Sequence, residues 1–225
     1  MAQQTGRKAG RRKISNLLAL SLLNLLVERP MYPYEMAATL RQRGKDEAIK
    51  INWGSLYTVV QNLEKYGFIE AMDVAREGRQ PERTTYRITE AGREELKDWL
   101  RELISQPERE YTRFEAALGE IAVLPPNEVA ALLQRRLDAL DAVIAQHETG
   151  LAAWVTQVPR LFLIESEYYL ALRRAEAEWI RGLLKEFTDG TFPGIKEWQR
   201  YHDTGQLPEE IVALAETQRE EIPGS

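Results

Sequence analysis

Cysteine is absent from the 225 residues, and histidine occurs only twice, as His147 and His202. Without thiols there is no disulfide framework, no thiolate metal site and no cysteine nucleophile. Each histidine stands alone in a helical or polar stretch, so neither metal ligation nor histidine acid–base chemistry is expected. Also missing are a glycine-rich phosphate loop, a paired-carboxylate spacing and a nucleophile–base set. Acidic side chains are plentiful, but they alternate with lysines and arginines at surface helix spacing. No enzyme and no cofactor are expected.

Long hydrophobic runs are lacking too. The nearest approach, Ile14 to Val27, follows basic residues 7–13 and so imitates a signal peptide. It is too short to span a bilayer. Asn16, Ser21 and Asn24 interrupt it, and Glu28-Arg29-Pro30 stands where a cleavage site would be. The run reads as a buried helix of a cytoplasmic protein with no membrane partner.

What is present is an ordinary globular composition, 44% hydrophobic and 29% charged, with a length suited to one or two domains. The net charge of −5 is unevenly placed: residues 1–100 hold 17 basic and 13 acidic side chains, residues 101–225 hold 13 and 22. This polarity fits a basic reading head on an acidic body. Arg7, Lys8, Arg11, Arg12 and Lys13 form a basic arm without an acid, and residues 1–13 are expected to be mobile.

The fold class expected is mainly α with a small β-hairpin: a winged helix-turn-helix over 14–105, then a helical dimerisation domain. Ser15 can cap a first helix with leucines at 18, 22, 25 and 26. Pro30 stops it. Tyr32-Pro33-Tyr34-Glu35 opens a second helix with proline at its first position. Asn52 caps a third, running to about Tyr66, with Gly67 as its left-handed stop. Phe68 to Val74 and Arg83 to Ile88 alternate as two strands around a polar tip, and Thr89 caps a fourth helix to about Ile104. Three helices followed by a hairpin is the winged helix order.

From Glu108 the pattern is long helices: Tyr111 to Val123, one capped by Asn127, and a third beyond Pro159. Their apolar stripes exceed what each helix can bury alone, so a second copy of the chain is the expected cover. The dimerisation domain spans 106–189, and 190–225 is a tail with a last helical turn near Pro208 to Thr217.

The third helix divides cleanly. Leu56, Val59, Val60 and Leu63 form an apolar stripe, and Ser55, Tyr57, Thr58, Gln61, Asn62 and Lys65 lie opposite, with Glu64 only at the flank. Glutamine and asparagine can pair with adenine in the major groove, and a threonine methyl can touch thymine. Tyr57 and Ser55 suit phosphate oxygens, as does Lys65. Arg76, Arg79 and Arg83 by the wing, with Arg11, Arg12 and Lys13 on the arm, suit electrostatic contact. The competing reading of each group is a solvated surface.

These residues resemble the PadR family of bacterial regulators. The resemblance rests on Tyr34-Glu35, on Gly54-Ser55-Leu56-Tyr57, on Leu63-Glu64-Lys65-Tyr66-Gly67-Phe68-Ile69 and on Tyr86-Arg87-Ile88-Thr89-Glu90-Ala91-Gly92. It covers 14–105, and 108–188 is similar to the longer C-terminal domain of the larger PadR subgroup. It implies a homodimer that represses transcription from a palindromic operator in double-stranded DNA, with the third helix in the major groove and the wing on the flanking backbone. Tyr34 joins the DNA-contact set on this ground. The resemblance also implies a small-molecule effector near Trp99, whose alternative role is a core or interface tryptophan. Met31 and Trp53 depart from the family pattern, which often has glycine and smaller residues there. The rival function is a winged helix that binds protein instead of DNA.

Overall fold

The computed structural model describes residues 12–45, 53–72 and 84–206. The chain divides into two compact units, Met1–Glu110 and Tyr111–Ser225.

In the first unit, helix α1 (Leu17–Glu28) is the centre of the core. Leu18, Ala19, Leu22, Leu23, Leu25 and Leu26 are all buried, so this helix is apolar around most of its circumference and is covered by the others. Its cap is Asn16, not the expected Ser15. Asn16 has extended backbone, and its Oδ1 accepts the Leu18 N–H at 2.9 Å, which places the helix start one residue later. Helix α2 (Pro33–Gln42) opens on Pro33 as the sequence predicts and buries Met36, Ala37 and Leu40.

Helix α3 (Leu56–Lys65) follows a single 3-10 turn, Trp53–Ser55. Ser55 stands at the cap position; Asn52, the expected cap, lies outside the described residues. Leu56, Val59, Val60 and Leu63 are the buried stripe. Gly67, at φ +73°, turns the chain, and the Phe68 N–H closes on the Leu63 carbonyl at 2.9 Å.

Strands β1 (Ile69–Ala71) and β2 (Tyr86–Ile88) pair antiparallel, with Ile69 opposite Ile88 and Ala71 opposite Tyr86. The ladder extends one bond further, from the Met72 N–H to the Thr85 carbonyl at 2.8 Å. Residues 73–83, the rest of the expected hairpin, lie outside the described residues. On its other edge β2 forms a bridge with Met31, which is buried and exchanges both backbone hydrogen bonds with Tyr86. Helix α4 (Glu90–Ser105) starts at Thr89, whose hydroxyl oxygen accepts the Gly92 N–H at 3.0 Å. The fold of this unit is the winged helix expected from the sequence.

The second unit is a helical hairpin with two short helices at one end. The expected single helix over 111–123 is instead α5 (Arg113–Gly119), capped by Thr112, and a 3-10 turn at Ile121–Val123. Helix α6 (Pro126–Trp154) opens on Pro126, and Asn127 lies inside it, its side chain accepting only the neighbouring Glu128 N–H. A proline at the first helical position needs no N–H partner, which moves the start ahead of Asn127. Helix α7 (Ile164–Asp189) pairs with α6 through Val129, Leu133, Leu137 and Leu140 against Ala177 and Ile180. Arg174 pairs with Glu148 and Arg181 with Asp141 across the two antiparallel helices.

Helix α8 (Ile195–Thr204) falls in what the sequence suggested was tail. The Trp198 Nε1–H is shared between the carbonyls of Ala122 (3.3 Å) and Leu124 (3.0 Å), and its ring meets Phe187 edge-on. The turn expected at 208–217 lies outside the described residues. Among the described residues, no helix is long and apolar enough to cross a membrane.

Candidate nucleic-acid interface

Burying one side of α3 against α1 and α2 leaves the other side in solvent. Tyr57 is 60% exposed, and Thr58, Gln61, Asn62 and Lys65 are exposed beside it, one and two turns along the same face. Among the described residues none of these five side chains makes a hydrogen bond or ion pair, so their donors and acceptors face water. Ser55, at the start of the helix, is half-buried and already engaged. Tyr34, on α2, is 67% exposed.

Acid is kept off this face. The helix's one carboxylate, Glu64, stands against the hydroxyl of Tyr86 on β2. Burial first, then the charge of Glu64 and its hydrogen bond, hold that phenol above its ordinary value. The surface of α3 therefore combines amide, hydroxyl and ammonium groups, the inventory that reads base edges and phosphates.

The arm is different from the free basic segment the sequence suggested. Arg12 reaches back onto α4, where its guanidinium bridges Glu95 and Glu102 and lies 5.2 Å from the centre of the Trp99 ring. Its side chain is only 15% exposed. Burial alone would loosen its proton, but the hydrogen bonds and charges of Glu102 and Glu95 outweigh it, so Arg12 is a firmer cation than free arginine. Lys13 is exposed, with its ammonium 5.6 Å from the centre of the Tyr66 ring at the end of α3. Lys13 is thus brought to α3, and Arg12 is not. Arg11, Arg76, Arg79 and Arg83 lie outside the described residues.

Trp99 is 4% exposed and belongs to the core that contains α1. Glu95 and Glu102, which sequence reading did not single out, flank it one turn to either side. Their spacing of i, i+4 and i+7 was visible; that they hold a residue 83 and 90 positions away was not. Among the described residues no group of three or more histidine or acidic side chains could share a metal ion.

Comparison with known proteins bears on the fold. The model of the transcriptional regulator PadR-like family matches residues 22–98. The fold is similar to that of PadR from Bacillus subtilis in complex with operator DNA, with a TM-score of 0.63 and 19% identity over 76% of this chain and 99% of that one. The same protein in complex with p-coumaric acid matches at 0.62 and 18% identity, over 77% of this chain and 99% of that one. AphA, a virulence activator of Vibrio cholerae, matches at 0.57 and 19% identity, over 76% and 98%. No curated protein matches the chain in sequence.

Proposed function

This chain carries a PadR-like domain over residues 22–98, and from that premise we propose that it is a homodimeric transcriptional regulator that binds double-stranded DNA sequence-specifically. The observation that carries the reading is the outward side of α3. Tyr57, Thr58, Gln61, Asn62 and Lys65 are exposed together, backed by four buried aliphatic side chains. A helix of this shape fits the major groove, where Gln61 and Asn62 read adenine edges and Thr58 meets a thymine methyl. Tyr34, Tyr57, Ser55, Lys65 and Lys13 fix register on phosphates. Arg11, Arg76, Arg79 and Arg83 complete the electrostatic set on sequence grounds.

The dimer is supported by α7. Ile164, Tyr168, Leu172 and Trp179 lie on one side of it and are exposed, opposite the side that packs on α6. An apolar stripe of that length suits a second copy of the same chain. Two copies of α3 about 34 Å apart read half-sites one helical turn apart, hence a palindromic operator. Repression is the sign of control proposed; one neighbour in fold is named an activator, so a reporter gene under the bound site decides it. A small-molecule effector is proposed, in the class of small aromatic acids that the B. subtilis protein binds, while Trp99, buried with Arg12 over its ring, fits the alternative role of a core tryptophan.

Salt tests the reading directly. Binding to duplex DNA should weaken steeply as salt rises, because phosphate contacts release counterions. Binding that ignores salt would favour the protein-binding alternative.

A further inference from the structure

Of the two described basic residues of the arm, Arg12 is the one withdrawn from solvent, and the place it goes is built for it. Glu95, Trp99 and Glu102 occupy one side of α4, with a carboxylate one turn before and one turn after the indole. The guanidinium bonds to both carboxylates and lies over the ring between them. Only arginine has a planar fork able to satisfy two carboxylates while stacking on an aromatic face. The next residue, Lys13, stands over Tyr66, and Tyr66 ends the helix proposed to read DNA.

We propose that Glu95, Trp99 and Glu102 form a socket for Arg12, and that Arg12 is a positioning residue that holds Lys13 beside the C-terminal end of α3 for contact with a DNA phosphate. The inference rests on the DNA-binding reading above. It inverts the ordinary expectation for charge. Glu95 and Glu102 add negative charge to the reading unit, so their removal should tighten binding to a polyanion if net charge alone mattered. With the socket, their removal frees Arg12, lets the root of the arm swing and takes Lys13 away from the phosphate.

The test uses the full chain and a mixed-sequence duplex of about 30 base pairs, long enough for two half-sites one turn apart. The double variant Glu95→Gln/Glu102→Gln should bind about five- to tenfold more weakly than the parent, and its slope of log affinity against log salt should flatten by about 1 for each phosphate that Lys13 no longer neutralises. Trypsin should cut after Arg12 or Lys13 faster in the double variant, while the thermal midpoint of the rest of the unit changes little. Should the double variant fail to fold, Arg12→Lys decides, since it keeps the charge but cannot span two carboxylates. It should weaken binding and expose the same cleavage site. Equal or tighter DNA binding by either folded variant overturns the proposal. A parent protein without salt-dependent binding would instead sink the DNA-binding reading, and the trypsin comparison would still report on the socket.

Discussion

Gly92 lies so close to Phe68 that a β-carbon at position 92 would sit 2.0 Å from the Phe68 carbonyl oxygen and 2.9 Å from the Ile88 side chain. The oxygen cannot retreat, because it accepts the Thr89 N–H at 3.0 Å, and the Thr89 hydroxyl in turn donates to Gly67 at 2.6 Å. This knot joins the end of α3, the hairpin and the start of α4. Gly92→Ala should therefore destabilise the N-terminal unit by about 3 kcal/mol or more, at or above the usual range for overpacking. Urea unfolding followed by tryptophan fluorescence measures it, and a loss below about 1 kcal/mol would mean that the close approach is relieved cheaply.

Arg43 donates from both terminal nitrogens to Glu28, at 2.5 and 2.8 Å, tying the end of α1 to the end of α2. That hydrogen bonding, opposed by slight burial and helped by the charges of Arg43 and Arg29, holds the Glu28 carboxyl below its ordinary 4.5. A depressed carboxylate contributes stability that is complete above 4.5 and disappears as pH falls through the lowered value. Both partners are 44% exposed, so water screens the pair and its worth is below about 1 kcal/mol. Glu28→Gln should lower the thermal midpoint slightly at neutral pH, and the gap from the parent should close in acid. A gap that widened below pH 4.5 would contradict the sign.

The exposed stripe on α7 predicts the effect of a charge placed in it. Leu172 is in solvent within one chain, so Leu172→Glu should fold normally yet oppose assembly, because a carboxylate buried in an apolar interface costs several kcal/mol. Each 1.4 kcal/mol is a factor of about ten in dissociation constant, so the variant should sediment as a monomer and the parent, on the proposed assembly, as a dimer. A variant that remains dimeric would move the interface elsewhere.

Trp198 is the anchor of α8. Its N–H serves two carbonyls beside the 3-10 turn before α6, and its ring contacts Phe187 and Phe192. Trp198→Ala should cost the helical unit about 2–3 kcal/mol, less than the roughly 3–5 of a fully buried tryptophan because this one is half-buried. Thermal unfolding would register it, and no change would mean that α8 rests on the domain without supporting it.

The elements most legible in the sequence are those fixed by local chemistry. Pro33, Gly67 and Thr89 mark boundaries through φ, handedness and a side-chain oxygen, and the structure uses each as expected. The stripe Leu56, Val59, Val60, Leu63 likewise told which side of α3 faces outward. The cap of α1 was less legible, because Ser15 and Asn16 are both good caps and only the backbone at Asn16 settles the choice. Helix α8 was hidden behind Phe192-Pro193-Gly194, which reads as a breaker, although Ile195, Trp198 and His202 keep helical spacing. Partnerships across long separations were not legible at all. Neither the bridge from Met31 to Tyr86 nor the grip of Glu95 and Glu102 on Arg12 leaves a periodic trace in the chain.

The outward surface of α3 as the reader of base sequence is tested most directly by selecting bound duplexes from a random pool, with the parent and with Gln61→Ala/Asn62→Ala. The parent should enrich an inverted repeat with half-sites about one helical turn apart. The double variant should keep comparable affinity for unselected DNA and lose or change preference at a few positions in each half-site. Enrichment of the same sequence by both proteins would contradict the account.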